Sequence, residues 1–135
     1  MIDRRLPSAA AVVLASFIAA AGMVAHNVRE FGPAFLLRPE TVIPLAMFGL
    51  FALLACARPA NAIVHVLLLA WAVLNLVGGG ILSVLPLGLF PFQPEQSLGH
   101  YGAHVIYAIA QLPLVVVAAR ALSWRGRPAA GRDAR

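Results

Sequence analysis

Histidine and glutamate at helical spacing are the residues of this chain best able to hold a ligand. His26 and Glu30 stand four apart, as do His100 and His104. On an α-helix that interval returns to the same face one turn later, so each pair projects from one side of its helix. Two imidazoles at i and i+4 suit a divalent transition metal, and imidazole with carboxylate favours zinc, nickel or copper over magnesium or calcium. The expected metal set is His26, Glu30, His100 and His104, with Glu40 and Glu95 as further acceptors nearby. The same histidines suit a second cofactor. One imidazole from each of two helices could clasp a b-type haem axially, with the porphyrin in apolar space between them. A plainer role competes with both, because an amphipathic imidazole is at home at a membrane interface with no ligand at all.

A second set of polar residues lies along the same helices. His100, His104, Tyr107 and Gln111 follow at spacings of four, three and four and form one stripe. Asn61, His65, Ala72, Asn75 and Gly79 fall broadly on one face of the preceding apolar segment, mixing polar with small residues. Polar side chains are costly among apolar spans, so both faces are expected to point inward. Asn75, Tyr107, Gln111 and His65 are accordingly assigned to interhelical polar contacts, a class of hydrogen bond worth about 0.6 kcal/mol on average in membranes. Gly78, Gly79 and Gly80 follow an apolar helix rather than a strand, which points to close packing or flexibility and not to a phosphate cradle.

Catalysis finds little support. None of Ser8, Ser16, Ser83, Ser97 and Ser123 sits in a G-x-S-x-G context, and Asp3 and Asp133 stand in the tails. Glu30, Glu40 and Glu95 fall in segments that water would solvate, so no carboxylate pair is set up for acid and base work. The expectation is a non-enzymatic protein with no catalytic residue.

The elements that must position these residues follow from composition. Of 135 residues, 61% are hydrophobic and 11% charged, and the mean hydropathy is +0.88. A soluble chain carries about 25% charged residues and could not cover its surface with so few. Four apolar runs reach or approach the length a bilayer demands, at residues 7–26, 41–57, 61–86 and 100–122. Ser8 is placed to cap the first run and Pro39-Glu40-Thr41 to open the second, and Arg58-Pro59 closes it. Pro113 falls inside the fourth, where neighbouring helices can satisfy the freed carbonyl. The fold class expected is an all-α integral membrane protein, a single four-helix transmembrane domain over residues 1–135 with a basic tail at 123–135.

All ten basic residues are arginine. With the N-terminus inside, Arg4, Arg5, Arg58, Arg120, Arg125, Arg127, Arg132 and Arg135 face the cytoplasm, against Arg29 and Arg38 outside. Short cytoplasmic loops retain positive charge, so both termini are expected in the cytoplasm and the histidine pairs near the external surface. Trp124 then joins the cytoplasmic interfacial belt, and Phe90, Phe92 and Tyr101 the external one. The formal charge of +5 is explained by topology, with no nucleic-acid partner implied. The single Cys56 excludes an internal disulfide and reads as a quiet structural thiol. The opening residues also have the look of a secretory signal, although an uncleaved anchor is the simpler reading. The segments FLLRPET and FPFQPEQS echo each other after the first and third runs, a weak sign of a duplicated helical hairpin.

The layout resembles that of bacterial four-helix membrane proteins, on helix count alone, which implies the bacterial cytoplasmic (inner) membrane. The leading functional expectation is an accessory or interaction subunit, packing against itself as a homo-oligomer or against a membrane protein partner within the lipid bilayer. The alternative is a metal- or haem-binding membrane protein using the external histidines. A third is a small-solute transporter acting as an oligomer, with Asn75 and Gln111 lining its path.

Overall fold

A computed structural model of the chain describes residues 6–87 and 94–123. The expectations placed on Arg4, Arg5, Phe90, Phe92, Trp124, Arg125, Arg127, Arg132 and Arg135 concern positions outside these residues. The described residues form a succession of helices, with no strand among them.

Helix α1 spans Ala9–Phe31 and is capped by Ser8, whose hydroxyl accepts from the Ala11 N–H at 3.1 Å. It continues well past the expected end at residue 26, so His26 and Glu30 share one helical face. It stops at Gly32, whose φ of 57° lies in the left-handed region that glycine enters at no steric cost. A 3₁₀ segment, Gly32–Leu37, leads to α2, Pro39–Ala57. Arg38 occupies the N-cap of α2 with no side-chain cap. The expected capping role of the Pro-Glu-Thr segment is thus corrected: Pro39 starts the helix, and Thr41 turns inward to become fully buried.

Helix α3 spans Ala62–Leu74, and Asn61 caps it by accepting from the N–H groups of Ile63 and Val64. The sequence suggests a helix running on to residue 86. Instead the chain widens to a π turn over Asn75–Gly79, marked by a 2.8 Å bond from the Gly80 N–H to the Asn75 carbonyl five residues back. A 3₁₀ turn, Leu82–Val84, follows. The physical reason is contact with α4, Leu98–Ser123. A β-carbon on Gly79 would lie 2.7 Å from the Tyr107 hydroxyl, and one on Gly80 would lie 2.9 Å from the Ala108 methyl. Bare backbone is what fits there.

The helices α1 and α4 form the central pair, with α2 packed on α1 and α3 packed mainly on α4. Between them lie Ala15, Ala19, Met23, Phe48, Leu68, Leu114 and Ala118, all buried. Small residues on α1 and α4 let the two backbones approach closely, as helices do where apolar burial alone gives no drive to associate. Gly22 is the tightest point, because a methyl group there would fall on that of Ala110. The outer surface is the reverse of a soluble bundle: Leu14, Phe17, Leu53, Ile63, Ile106 and Ile109 are at least 60% exposed. Among the described residues four helical stretches, Ala9–Leu37, Pro39–Ala57, Ala62–Val84 and Leu98–Ser123, are long and apolar enough to cross a membrane, which suggests a multi-pass membrane protein.

The Gly22 contact generates a measurable expectation. Gly22→Leu overpacks the α1–α4 seam and should destabilise the protein by at least about 1–3 kcal/mol, read as a lower thermal midpoint in detergent. Gly49→Ala, where a β-carbon meets nothing within 4 Å, should leave the midpoint unchanged or raised. Equal effects of the two substitutions would contradict the close approach at Gly22.

Candidate metal centre

The face of α1 that carries Gly22 against Ala110 carries His26 one turn further on, and α4 presents His100 and His104 to it. His104 and His100 are 3% and 4% exposed, while His26 is half-buried. The ring centroids of His26 and His104 are 4.3 Å apart, those of His100 and His104 are 4.6 Å apart, and those of His26 and His100 are 6.0 Å apart. One ring nitrogen from each of the three lies within 4.8 Å of the other two. Antiparallel packing of two helices thus brings His26 to histidines 74 and 78 residues further along the chain.

The hydrogen-bond network decides which nitrogens carry protons. His104 Nδ1 lies 2.9 Å from the Gly79 carbonyl, which can only accept, so Nδ1 is the protonated nitrogen. His26 Nδ1 lies 2.9 Å from Asn27 Oδ1. The orientation of that amide is fixed by its other end, because Asn27 Nδ2 donates to the Glu40 carbonyl at 3.0 Å and to Thr41 Oγ1 at 2.8 Å. Oδ1 therefore faces His26 as an acceptor, and His26 too carries its proton on Nδ1. On His100, Nδ1 lies 3.5 Å from Glu30 Oε2, a partner that draws the proton to the same side.

All three Nε2 atoms are left as bare lone pairs. Those of His26 and His104 face each other at 2.9 Å, and that of His100 is buried with no hydrogen-bond partner. Two lone pairs at that distance repel unless something positive sits between them. Either a proton is shared across the gap or a cation occupies it. Outer nitrogens bonded to an amide oxygen and a backbone carbonyl, with a carboxylate beside the third, match the way metal-ligating histidines are held in place.

Each oxygen has its own structural origin. The π turn carries the Gly79 carbonyl to His104, where it also accepts from Ser83 Oγ at 2.6 Å. The turn is pinned from α4, because Tyr107 donates to Asn75 Oδ1 at 2.7 Å while Asn75 Nδ2 donates to the Trp71 carbonyl at 2.8 Å. Asn27 ties α1 to the start of α2. One turn below, Gln111 Nε2 donates to the Ala19 carbonyl and links α4 to α1.

Of the residues singled out from the sequence, His26, His100 and His104 meet at one point, and Glu30 stands beside His100 as its partner. The Glu40 and Glu95 side chains are exposed and have no part in the cluster. Asn75, Tyr107 and Gln111 bond across helices. His65 does not: its Nε2 donates to the Pro59 carbonyl in the loop before its own helix, at the far end of the bundle, which corrects its assignment to an interhelical contact. Sequence reasoning missed Asn27, Thr41 and the Gly79 carbonyl. Asn27 follows His26 directly, and its adjacency to a candidate ligand was the one signal available.

The Tyr107–Asn75 bond can be tested by a double-mutant cycle. Tyr107→Phe and Asn75→Ala should each lower stability, with a coupling energy of about 0.6 to 1.7 kcal/mol in denaturant titrations of the detergent-solubilised protein; strict additivity would exclude the contact. In comparisons with protein-family models, curated protein sequences and solved structures, the chain matches none.

Proposed function

We propose that this chain is a membrane protein that binds one divalent first-row transition metal through the Nε2 atoms of His26, His100 and His104. Its role is to hold or pass on the metal rather than to act as an enzyme. The observation that carries this reading is the set of three inward lone pairs, each backed by an outer Nδ1 aimed at an oxygen. A tetrahedral ion with metal–nitrogen bonds of about 2.0–2.1 Å separates its ligand nitrogens by about 3.3 Å. The present 2.9 Å between His26 and His104 needs to open by only a few tenths of an ångström. Three imidazoles and a free fourth position suit zinc, copper or nickel, and the hard-oxygen set that magnesium or calcium needs is lacking here.

Haem is the poorer fit. A porphyrin between His26 and His104 would have to part α1 from α4 immediately above the Gly22–Ala110 contact. A solute path is also poorly supported, since Asn75 and Gln111 are engaged across helices and Phe48, Leu68 and Leu114 fill the core between them. The arginine bias favours a centre on the outer side of a bacterial cytoplasmic membrane: Arg29 and Arg38 lie at the cluster end, and Arg58 and Arg120 at the other.

Calorimetric titration of the purified protein with Zn²⁺, and with Co²⁺ as a visible-absorbing substitute, tests the reading. One equivalent should bind, and His26→Ala, His100→Ala or His104→Ala should each abolish tight binding while His65→Ala leaves it intact. Stoichiometric binding retained in all three cluster variants, or no binding by the native chain, would overturn the proposal. Asn27→Leu, which removes the partner of His26, should weaken affinity by about 10–100-fold. Affinity should fall as pH is lowered, because protons compete with the metal for the imidazole lone pairs, and binding should release protons measurable in buffers of different ionisation enthalpy.

A further inference from the structure

Beside the histidine cluster, on the outward side of the α1–α4 seam, lies a groove of about 310 Å³ lined by Ala25, Arg29, Gly99, Gly102, Ala103 and Ile106, with His26 in its wall. Its shape follows from residue size. On α4 the floor is made by Gly99, Gly102 and Ala103, and a β-carbon on Gly102 would meet nothing within 4 Å. The groove runs from Gly99 to Ile106, seven residues or about 10 Å of helix, and ends above the closed contact of Gly22 with Ala110.

The open end of the groove holds a cation. The Arg29 guanidinium lies over Gly99, where a β-carbon would be 2.5 Å from one of its terminal nitrogens. With no side chain at Gly99, the guanidinium rests close to the α4 backbone. Arg29 is exposed and has no carboxylate within 4.0 Å among the described residues, although Glu30 is next to it in sequence and turns to His100 instead. A guanidinium with no carboxylate partner at the head of an apolar groove is complementary to an oxyanion carrying a hydrocarbon tail: the fork binds phosphate in a bidentate fashion, and Ala25, Ala103 and Ile106 line the tail. Ile106 is 60% exposed, so the groove opens on the face that a bilayer would cover.

We propose that this groove is a binding site for an anionic phospholipid, with its phosphate on Arg29 and the first part of an acyl chain lying along Gly102, Ala103 and Ile106. The site is independent of the metal centre, and its occupancy requires no metal. A lipid seated there covers the exposed edge of His26 and closes the lateral approach to the cluster.

Native mass spectrometry of the full chain, released from micelles containing equal amounts of phosphatidylglycerol and phosphatidylcholine, tests the site. The native protein should retain one phosphatidylglycerol in preference to phosphatidylcholine. Arg29→Gln should reduce that retention about tenfold, with Arg29→Lys partly restoring it and Arg38→Gln, at the same end of the bundle, leaving it unchanged. Gly102→Leu, whose β-carbon meets nothing within 4 Å and whose side chain fills the groove, should also displace the lipid. Retention unaffected by Arg29→Gln and by Gly102→Leu would overturn the site. Loss of the bound lipid on adding millimolar inorganic phosphate would assign the seat to a soluble anion and overturn the lipid assignment. Zinc titration of the same variants separates the two sites: Gly102→Leu should keep metal binding, and a native chain that binds no metal should still select the anionic lipid.

Discussion

The distance between α1 and α4 governs everything else in this protein. Small residues at Ala15, Ala19 and Gly22 face an α4 surface with Ala110, Ala118 and Ala121, so the two backbones lie as close as side-chain sterics allow. At that separation an imidazole from each helix spans half of the gap, and His26 reaches His104 with hydrogen-bond spacing between their inner nitrogens. A helix pair held apart by leucines would keep the same residues at a distance where each could bond only to water or to its own backbone. The polar chemistry of the bundle is therefore a consequence of its apolar packing.

That packing also explains why the cluster is polarised in one sense. Three different local solutions supply an oxygen to the outer side of three rings: the side-chain amide of the neighbouring Asn27 on α1, the Glu30 carboxylate one turn further along, and the Gly79 backbone carbonyl brought in by the π turn after α3. The inner nitrogens are left as lone pairs with no protein donor to satisfy them. In an apolar bundle an unmatched lone pair costs more than in water, which is the physical ground of the metal binding proposed above.

Much of the fold was legible because its signals are local. Long apolar runs reveal spans, and a period of 3.6 reveals which face of each is polar, so the stripe of His100, His104, Tyr107 and Gln111 and the inward turn of Asn75 could be read directly. The pairing of α1 with α4 could not, since adjacency of helices is a property of packing between distant segments. Asn27 and Thr41 were invisible for the same reason: each looks like an ordinary polar residue near a helix end until the other is set beside it. The π turn was hidden for a different reason. Three consecutive glycines announce freedom of the backbone without saying which geometry will use it, and the aromatic ring that selects the geometry comes from another helix.

The π turn has one more effect. A hydrogen bond that spans five residues instead of four accommodates one residue more than a regular turn, so α3 behaves as though a single amino acid had been inserted between Asn75 and Gly80. The residues at its end are rotated by about a quarter of a turn relative to the phase set by Val64, Leu68 and Ala72. Helix α3 keeps the rhythm of the core, and the π turn that follows it carries the Gly79 carbonyl to the site. A one-residue deletion in this segment would bring the two into a single phase, producing a more regular helix whose carbonyls all point along its own axis and none toward His104.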